Sequence, residues 1–265
     1  MSAGDGYLLD NRQSGAGARL AALGALFDHW TFDHALALGL GDRWRVWEIG
    51  AGGPTVPAWF AERVGGEGYV LATDIDTSWL GGDQPFDVLR HDIARDPVPR
   101  QKFDLVHARL VLVHVQDRLG ALATMVDALA PGGWLLVEDA DTQSQPLASI
   151  DASGEEAELA NRLRVAFRSL LSERGADLAF GRRLPGLLRG AGLRDVEADA
   201  YFPVAGRACN ELELTTLDQV REALHGTGLA TDEEIDRHFS NVSAGRVDVA
   251  TAPLFSAWGR KSPDE

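Results

Sequence analysis

A short glycine-rich segment with an acidic residue just before it is the strongest chemical feature of this chain. The segment reads Val46-Trp47-Glu48-Ile49-Gly50-Ala51-Gly52-Gly53-Pro54-Thr55. Glycine lets a backbone approach a bound ligand closely, because no side chain stands in the way. Glu48 precedes the first glycine by two residues, where its negative charge would repel a pyrophosphate and attract a cation. The segment predicts a strand, a glycine turn and a helix start beside a ligand with positive charge.

The same segment departs from the loop that dinucleotide-binding enzymes use. Their G-x-G-x-x-G pattern would place its third glycine at position 55, which is Thr55, and Pro54 interrupts the loop. The chain also lacks a Tyr-x-x-x-Lys pair. These features speak against a nicotinamide-dependent oxidoreductase, which stays open here as the alternative enzyme class.

Two further acids follow later strands of the pattern. Asp74 ends the second strand, 24 residues after Gly50, close to where an acid accepts both hydroxyls of an adenosine ribose. Asp92, in His91-Asp92-Ile93, ends a short third strand, where a carboxylate can accept from an adenine amino group while Ile93 covers the ring. Each acid has a second interpretation, as a turn or surface residue without a ligand.

Histidines and acids also follow the fourth and fifth strands. His107 lies inside the fourth strand and is interpreted as an interior histidine, whereas His114 lies in the segment after it. Glu138, Asp139 and Asp141 end the fifth strand, on the rim where a second substrate would lie. A run of acids is usually a solvated face, and the position at a strand end adds a substrate role as the second interpretation, chiefly for Asp139. No His and carboxylate cluster has metal-ligand spacing, so no catalytic metal is expected.

These residues fall at the ends of alternating elements. Apolar residues recur at helical spacing over residues 14–40, in two pieces, and strands then alternate with helices up to about residue 140. Such an alternation builds a parallel sheet that is covered on both faces. The strands are predicted over 44–49, 69–73, 88–92, 103–108 and 134–137, with helices over 54–64 and 117–129 and a turn at 131–133.

The second half of the chain is predicted to contain long helices and two more strands. The helices fall over 153–175, 182–190, 211–225 and 231–244, and the strands over 194–204 and 253–258. We predict a single domain, in which residues 1–42 form N-terminal lid helices, 43–140 the cofactor-binding core, and 141–265 the second half of the sheet with helical substrate-lid insertions. The leucine-rich face of 153–175, with Arg162, Arg164 and Arg168, either lines an apolar substrate pocket or is plain core packing.

The composition of the 265 residues limits the kinds of partner. A net charge of −15 argues against nucleic acid and against an anionic membrane surface, because both favour a basic face. A single cysteine, Cys209, excludes an internal disulfide. The N-terminus has no signal-peptide pattern, and no apolar run is long enough to span a bilayer. We therefore predict a cytoplasmic protein with neither a nucleic-acid nor a membrane partner.

Taken in order, the motifs between residues 44 and 140 resemble those of class I S-adenosylmethionine (SAM)-dependent methyltransferases. The set comprises E-I-G-A-G, T-D-I-D, H-D-I, F-D-L-V-x-A, L-V-H-V-x-D and P-G-G-W-L-L-V-E-D. SAM has both an ammonium and a sulfonium, which suits the carboxylate at Glu48. The motifs are most similar to the branch with small-molecule substrates, common in bacterial secondary metabolism. The resemblance implies a Rossmann-like α/β fold with a seven-stranded, mostly parallel sheet whose last strand is antiparallel.

The resemblance also implies where the cofactor binds. Asp74 would hold the ribose, Asp92 and Ile93 the adenine, and the backbone near Ala108 the ammonium. The methionine end would be held by Glu48, Gly50 and Gly52. The predicted cofactor-binding set is completed by three neighbours of these residues, Ala51, Ile75 and Arg109.

For catalysis, the resemblance points to a histidine and a tyrosine. In phosphoethanolamine-type methyltransferases, the histidine of an L-H-L segment pairs with a tyrosine near the N-terminus. His114 matches that histidine, and Tyr7 is the tyrosine of the N-terminal region, although the residues around it differ from the family segment. His114 is interpreted either as a catalytic base or as a packing residue. With Asp139, these two residues form the predicted catalytic set.

The function predicted from these patterns is methyl transfer from SAM to an oxygen, nitrogen or carbon atom of a small molecule, such as a natural-product intermediate. The acceptor is the one partner expected, and a homodimer is left open. Two alternatives remain besides the nicotinamide-dependent oxidoreductase. One is a protein of the same fold that binds SAM without transferring a methyl group, and the other is a SAM-bound enzyme of a different reaction, such as a cyclisation.

Overall fold

A computed structural model describes residues 8–9, 11–13, 15–151 and 153–264. Seven helices and seven strands alternate along most of this length. They are α1 (Ala16–Ala37), β1 (Arg45–Ile49), α2 (Thr55–Val64), β2 (Tyr69–Asp74), β3 (Asp87–Arg90), β4 (Phe103–Arg109), α3 (Arg118–Ala128), β5 (Leu129–Ala140), α4 (Glu155–Glu173), α5 (Leu184–Gly190), β6 (Arg194–Tyr201), α6 (Arg207–Gly226), α7 (Asp232–Ser243) and β7 (Leu254–Arg260). Short 3-10 turns lie at Ser78–Leu80, Leu112–His114 and Gly181–Arg183.

The strands form one sheet in the order β3-β2-β1-β4-β5-β7-β6. Strands β1 to β5 pair in parallel, and β7 runs antiparallel to both β5 and β6. The predicted fold, a mostly parallel seven-stranded sheet with an antiparallel last strand, is confirmed. The strand order reverses between β1 and β4, and open sheets of this kind bind ligands in the crevice at that point, outside the carboxyl ends of the strands.

The sheet belongs to a compact unit made of residues 28–140, 180–201 and 254–264. The central strands are buried on both faces, as expected when helices cover a parallel sheet. On one face, Val46, Val70, Leu105 and Leu136 pack with Phe60 of α2 in a single apolar cluster. This packing holds β1, β2 and β4 in register, so that their carboxyl ends meet at a common edge.

A second compact unit is largely helical and consists of the described residues up to 27, with 141–179 and 202–253. Its core is built from the apolar faces of α4, α6 and α7, including Leu159, Leu163, Leu217, Leu224 and Ile235. The leucine-rich face of α4 is therefore core packing, the second of the two interpretations offered above. None of the helices in the described part of the chain combines the length and the apolar character needed to cross a membrane.

Three elements differ from their predicted form. Helix α1 is one continuous helix rather than two pieces, and its residues from 28 onward belong to the sheet unit. Strand β5 begins at Leu129, so the predicted turn at 131–133 lies inside it, with Gly132 at a φ of 76°. Strand β3 ends at Arg90 and is exposed along its length, which is why its apolar signal was weak. The prediction of a single domain with lid insertions stays a prediction.

Candidate functional site

The glycine turn lies at the carboxyl end of β1, against the segment that follows β4. Gly50 and Gly52 have φ values of 65° and 62°, in the left-handed region that favours glycine. A Cβ atom at Gly50 would lie 2.3 Å from Cγ2 of Val111. The absence of a side chain at Gly50 therefore lets the segment after β4 approach the turn.

Asp74, the predicted ribose acid, is in direct contact with this turn. Its Oδ2 accepts a hydrogen bond from the amide nitrogen of Gly52 at 2.9 Å, and its Oδ1 accepts from the amide nitrogen of Asp76 at 3.0 Å. The Asp74 side chain is buried, and this burial raises its pKa. Each carboxylate oxygen keeps a lone pair for a further donor. The two strongest sequence signals thus meet at one place.

Ile75 and Asp76, the two residues that follow Asp74, have features that suit a ligand. Ile75 is 53% exposed although it is a large apolar side chain at the sheet edge. Asp76 accepts from the amide of Ser78 through Oδ1, while its Oδ2 is buried and has no partner among the described residues. Asp76 was missed by sequence reasoning. The repeated acid in T-D-I-D was the signal that could have identified it.

The segment after β3 runs beside Asp74. The amide nitrogen of His91 donates to the carbonyl oxygen of Asp74 at 2.9 Å, so Asp92 follows directly at the same edge. Asp92 uses Oδ1 to accept from the amide of Ala94 at 3.0 Å. Ile93 is buried, so the exposed apolar surface at this edge comes from Ile75 rather than from Ile93.

Glu48 is buried at the end of β1 and faces His107 of β4. His107 Nδ1 donates to Glu48 Oε2, and its Nε2 donates to Glu138 Oε2 at 3.2 Å. Burial alone would lower the pKa of His107, but the charge of Glu48 and the hydrogen bonds with Glu138 and Glu48 raise it to about 9. The interior position predicted for His107 is observed, and its two acidic partners were not predicted.

Glu138 accepts hydrogen bonds from side chains of α1, β4 and β7. Ser256 Oγ donates to its Oε1 at 2.6 Å, and Thr31 Oγ1 donates to its Oε2. Burial would raise the pKa of Glu138, but the hydrogen bond and the charge of His107 lower it to about 2. Glu138 therefore stays ionised inside the protein, although its sequence context suggested a solvated acid.

Arg109 and Ala108 lie at the carboxyl end of β4. The Arg109 guanidinium donates to Asp28 Oδ1 at 2.6 Å and to Thr31 Oγ1 at 2.9 Å. Its donors are thus engaged with α1, on the face of the sheet that holds Glu48. Ala108 is buried in β4 between Ile49 and Val137, its register partners in β1 and β5. Its backbone lies one strand away from the glycine turn.

Asp139 follows Glu138 but points to the opposite face, since side chains alternate along a strand. Its Oδ2 accepts from the amide of Val113 at 3.2 Å, and its Oδ1 has no partner among the described residues. Burial raises the pKa of Asp139 well above its usual value. The contact of Asp139 fixes the 3-10 turn Leu112–His114, which presents the half-buried His114.

Of the other predicted residues, Ala51 and Asp141 lie near these strand ends, and Tyr7 is not among the described residues. The amide of Ala51 donates to the carbonyl of Thr73 at 3.1 Å, which ties the turn to β2. Asp141 is buried and caps the turn after β5 through the amides of Gln143 and Ser144. Within residues 15–151 and 153–264, no group of three His, Cys, Asp or Glu side chains is placed to hold a metal ion.

Comparison with known proteins agrees with this geometry. A family model described as a methyltransferase domain matches residues 26–198. The chain is 32% identical over 165 residues to methyltransferase str3 of Strobilurus tenacellus, covering 59% of this chain and 55% of that protein. It is 36% identical over 112 residues to the ubiquinone/menaquinone biosynthesis C-methyltransferase UbiE of Bordetella parapertussis, covering 39% and 43%. The matches span about half the length of these curated relatives.

Solved structures give the same likeness at the level of the fold. The phosphoethanolamine N-methyltransferase 2 of Haemonchus contortus, in complex with SAM, is similar with a TM-score of 0.58 at 17% identity, over 99% of this chain and 61% of that one. The YcgJ protein of Bacillus subtilis is similar with a TM-score of 0.56 at 14% identity, over 89% and 99%. Since the family model matches more than half of its length, the chain belongs to the methyltransferase domain family.

Proposed function

We propose that the chain is an enzyme that transfers a methyl group from SAM to an oxygen, nitrogen or carbon atom of a small-molecule acceptor. The observation that carries the proposal is the contact between the Asp74 carboxylate and the amide of Gly52. It joins the glycine turn to the acid that ends β2, at the edge where the strand order reverses. Membership of the methyltransferase domain family supports the same reaction.

The residues at this edge fit SAM. Buried carboxyl oxygens without a partner suit a cationic ligand with hydroxyl groups, and Asp76 Oδ2 is one of them. The exposed Ile75 offers an apolar surface for a flat base. The residues that would hold the cofactor are the predicted ones, namely Glu48, Gly50, Ala51, Gly52, Asp74, Ile75, Asp92, Ile93, Ala108 and Arg109. When bound, SAM supplies an electrophilic methyl group on a positively charged sulfur.

The chain's own part in the reaction is to align the acceptor and to exclude water, because this displacement needs little covalent help. Burial favours the protonated form of Asp139, which can donate a hydrogen bond, and Asp139 also anchors the turn that presents His114. His114 is half-buried and can take a proton from an acceptor hydroxyl or ammonium. Asp139 and His114 are therefore the proposed acceptor-side residues, with Tyr7 as a third.

A small, uncharged or cationic acceptor fits the charge of the chain better than a nucleic acid does. The net charge is −15, and nucleic-acid binding depends on a basic face. The named relatives are methyltransferases, and UbiE is named for quinone biosynthesis. We propose a natural-product intermediate as the acceptor. The cytoplasmic location, the lid helices and the homodimer stay predictions.

Calorimetry with the purified chain tests the proposal. SAM and S-adenosylhomocysteine are expected to bind with micromolar dissociation constants, and NADH is expected not to bind. Incubation with methyl-labelled SAM and a panel of phenols, quinols and amines should then transfer label to an organic extract. Binding of NADH in place of SAM would replace the proposal with the oxidoreductase, and SAM binding without transfer to any acceptor would favour the binding protein.

The variant His114→Gln tests the proton role of His114. We expect SAM affinity to change less than about threefold and turnover to fall by about a hundredfold, the usual contribution of a general base. The loss should shrink at high pH, where the acceptor ionises without help. The measurement is turnover and SAM affinity across pH for both proteins. Equal turnover of variant and wild type over the whole range would make His114 a packing residue.

A further inference from the structure

A network of five buried or nearly buried ionisable groups crosses the sheet face beneath the glycine turn. Asp28 bonds to Arg109 at 2.6 Å, and Arg109 and Glu138 share the hydroxyl of Thr31. Glu138 bonds to His107, which bonds to Glu48. The proposed reaction uses Glu48 for the cofactor, but it gives no role to the histidine in the middle.

The charges of this network add up to a net negative charge, which a cation could neutralise. With all groups ionised, three carboxylates and two cations give one net negative charge. Glu48 Oε2 is bonded to His107, and Glu48 lies at the end of β1, two residues before Gly50. A cation at this end of the strand would therefore neutralise the surplus charge.

Burial works against the charge of Glu48. Burial raises the pKa of Glu48, and the charge and hydrogen bond of His107 are the main opposing effects, with a smaller one from Arg109. A protonated Glu48 would lose its attraction for an ammonium. His107 is thus placed to decide whether Glu48 is charged.

Glu138, on the other side of the His107 ring, stabilises the positive charge of His107. Glu138 accepts from Nε2, and the pKa of His107 is raised to about 9, so the ring is an imidazolium whose Nδ1 also donates, to Glu48. The groups that surround the His107–Glu138 pair come from five elements: Glu48 of β1, Arg109 of β4, Ser256 of β7, Thr31 and His34 of α1, and the ring of Phe60 in α2.

We propose that His107 is a positioning residue for the cofactor, an inference that rests on the proposed function. Its imidazolium, held by Glu138 from behind, keeps the Glu48 carboxylate ionised and oriented for the ammonium of the methionine end. His107 does not touch the reacting atoms. It acts through Glu48, and Glu138 acts through His107.

Calorimetry with S-adenosylhomocysteine tests this role, since the probe has the ammonium but no sulfonium. We compare wild type and His107→Asn between about pH 5 and 7.5, below the titration of α-amines. In wild type, affinity should fall as pH falls through the pKa of Glu48. In His107→Asn, that pKa rises, so affinity should be lost at a higher pH than in wild type. At pH values below the pKa of Glu48 in wild type, we expect a decrease of about tenfold or more, the equivalent of one pKa unit or more.

Ser256→Ala is the matched control. It removes a buried hydrogen bond to Glu138 on the side away from Glu48. We expect its affinity for S-adenosylhomocysteine and the pH at which affinity is lost to stay close to wild type. A change as large as that of His107→Asn would mean that any substitution in the buried network weakens binding, which would overturn a specific role of His107.

Nitrogen NMR of the imidazoles gives a readout that does not depend on the cofactor. The signal that disappears in His107→Asn should be that of an imidazolium at pH 7 in the cofactor-free wild type. In Glu48→Gln, which keeps the shape of the side chain and removes its charge, this imidazolium should lose its proton at a lower pH. If His107→Asn does not fold, the imidazole whose titration moves in Glu48→Gln identifies His107, the histidine that bonds to Glu48. A neutral His107 at pH 7 overturns the proposal.

The outcomes separate this proposal from the proposed function. If wild type binds S-adenosylhomocysteine and His107→Asn binds it with the same affinity and pH dependence, the role of His107 is overturned and methyl transfer stands. If wild type binds neither SAM nor S-adenosylhomocysteine at any pH, the proposed function fails and the role of His107 fails with it.

Discussion

Replacing Asp74 with alanine is expected to weaken the binding of SAM by about a hundredfold or more. The carboxylate accepts from the amides of Gly52 and Asp76 and is proposed to accept the ribose hydroxyls as well. A hydrogen bond to a charged group contributes about 1.5–3 kcal/mol, so the loss of two ligand bonds alone corresponds to at least about 3 kcal/mol, or a hundredfold. Calorimetry with SAM measures the change.

Asp104→Ala is the control for this variant. Asp104 also accepts a backbone amide through its carboxylate, that of Arg45 at 2.8 Å, but it lies at the opposite end of the strands. We expect the affinity for SAM to stay within about threefold in Asp104→Ala. An equally small effect in Asp74→Ala, with the fold intact by circular dichroism, would remove Asp74 from the cofactor site.

Gly50→Ala is expected to abolish measurable SAM binding and to lower the free energy of unfolding. The new Cβ would lie 2.3 Å from Cγ2 of Val111, and φ at Gly50 is 65°. Overpacking costs about 1–3 kcal/mol, and the left-handed conformation adds about 1–2 kcal/mol for a residue with a Cβ. The turn must move away from Val111, and with it the amide that bonds to Asp74. Urea unfolding and calorimetry measure the two effects.

The double variant Gly50→Ala/Val111→Ala separates the two causes. Removing the Cγ atoms of Val111 relieves the overlap but leaves the backbone strain, so we expect stability to recover in part, with a coupling energy of about 1 kcal/mol or more. Gly66→Ala is the control, since a Cβ there meets no atom within 4 Å and φ is not left-handed. Additive effects in the double variant would contradict the predicted contact with Val111.

Much of the fold could be predicted because the local patterns were strong. The alternation of apolar strands with amphipathic helices places β1, β2 and β4 within about one residue of their observed bounds. Strand β5 was the least accurate, because Pro131-Gly132-Gly133 is typical of a turn but lies inside the observed strand Leu129–Ala140. The single helix α1 was read as two, because a helix shared by two units has no uniform apolar face.

The location of Asp74 and the glycine turn at the sheet edge could also be predicted, since parallel strands bring their carboxyl ends together. Asp74 and the glycine turn are 22 residues apart at their contact, yet both follow directly from strand ends. Their roles toward SAM stay predictions.

The ionisation of the buried acids could not be predicted. His107 meets Glu48, 59 residues earlier in the chain, only because β1 and β4 pair in the observed register. Glu138 and Asp139 are neighbours in sequence and looked like one solvated acidic run. Their three-dimensional surroundings, not the sequence, decide the shifts: His107 lowers the pKa of Glu138 to about 2, whereas burial raises the pKa of Asp139.

The opposed pKa shifts of these neighbours have a consequence for how the sheet assembles. A slip of β5 by one residue would turn every side chain to the other face. Glu138 would then leave His107 and enter the surroundings of Asp139, where burial raises the pKa of a carboxyl, and Asp139, with a shorter side chain, would stand opposite His107. Apolar neighbours such as Leu136 and Val137 are similar enough to tolerate such an exchange, but the two acids are not. The two acids therefore disfavour a misaligned sheet, because in it Glu138 loses the hydrogen bond and the charge of His107 that lower its pKa.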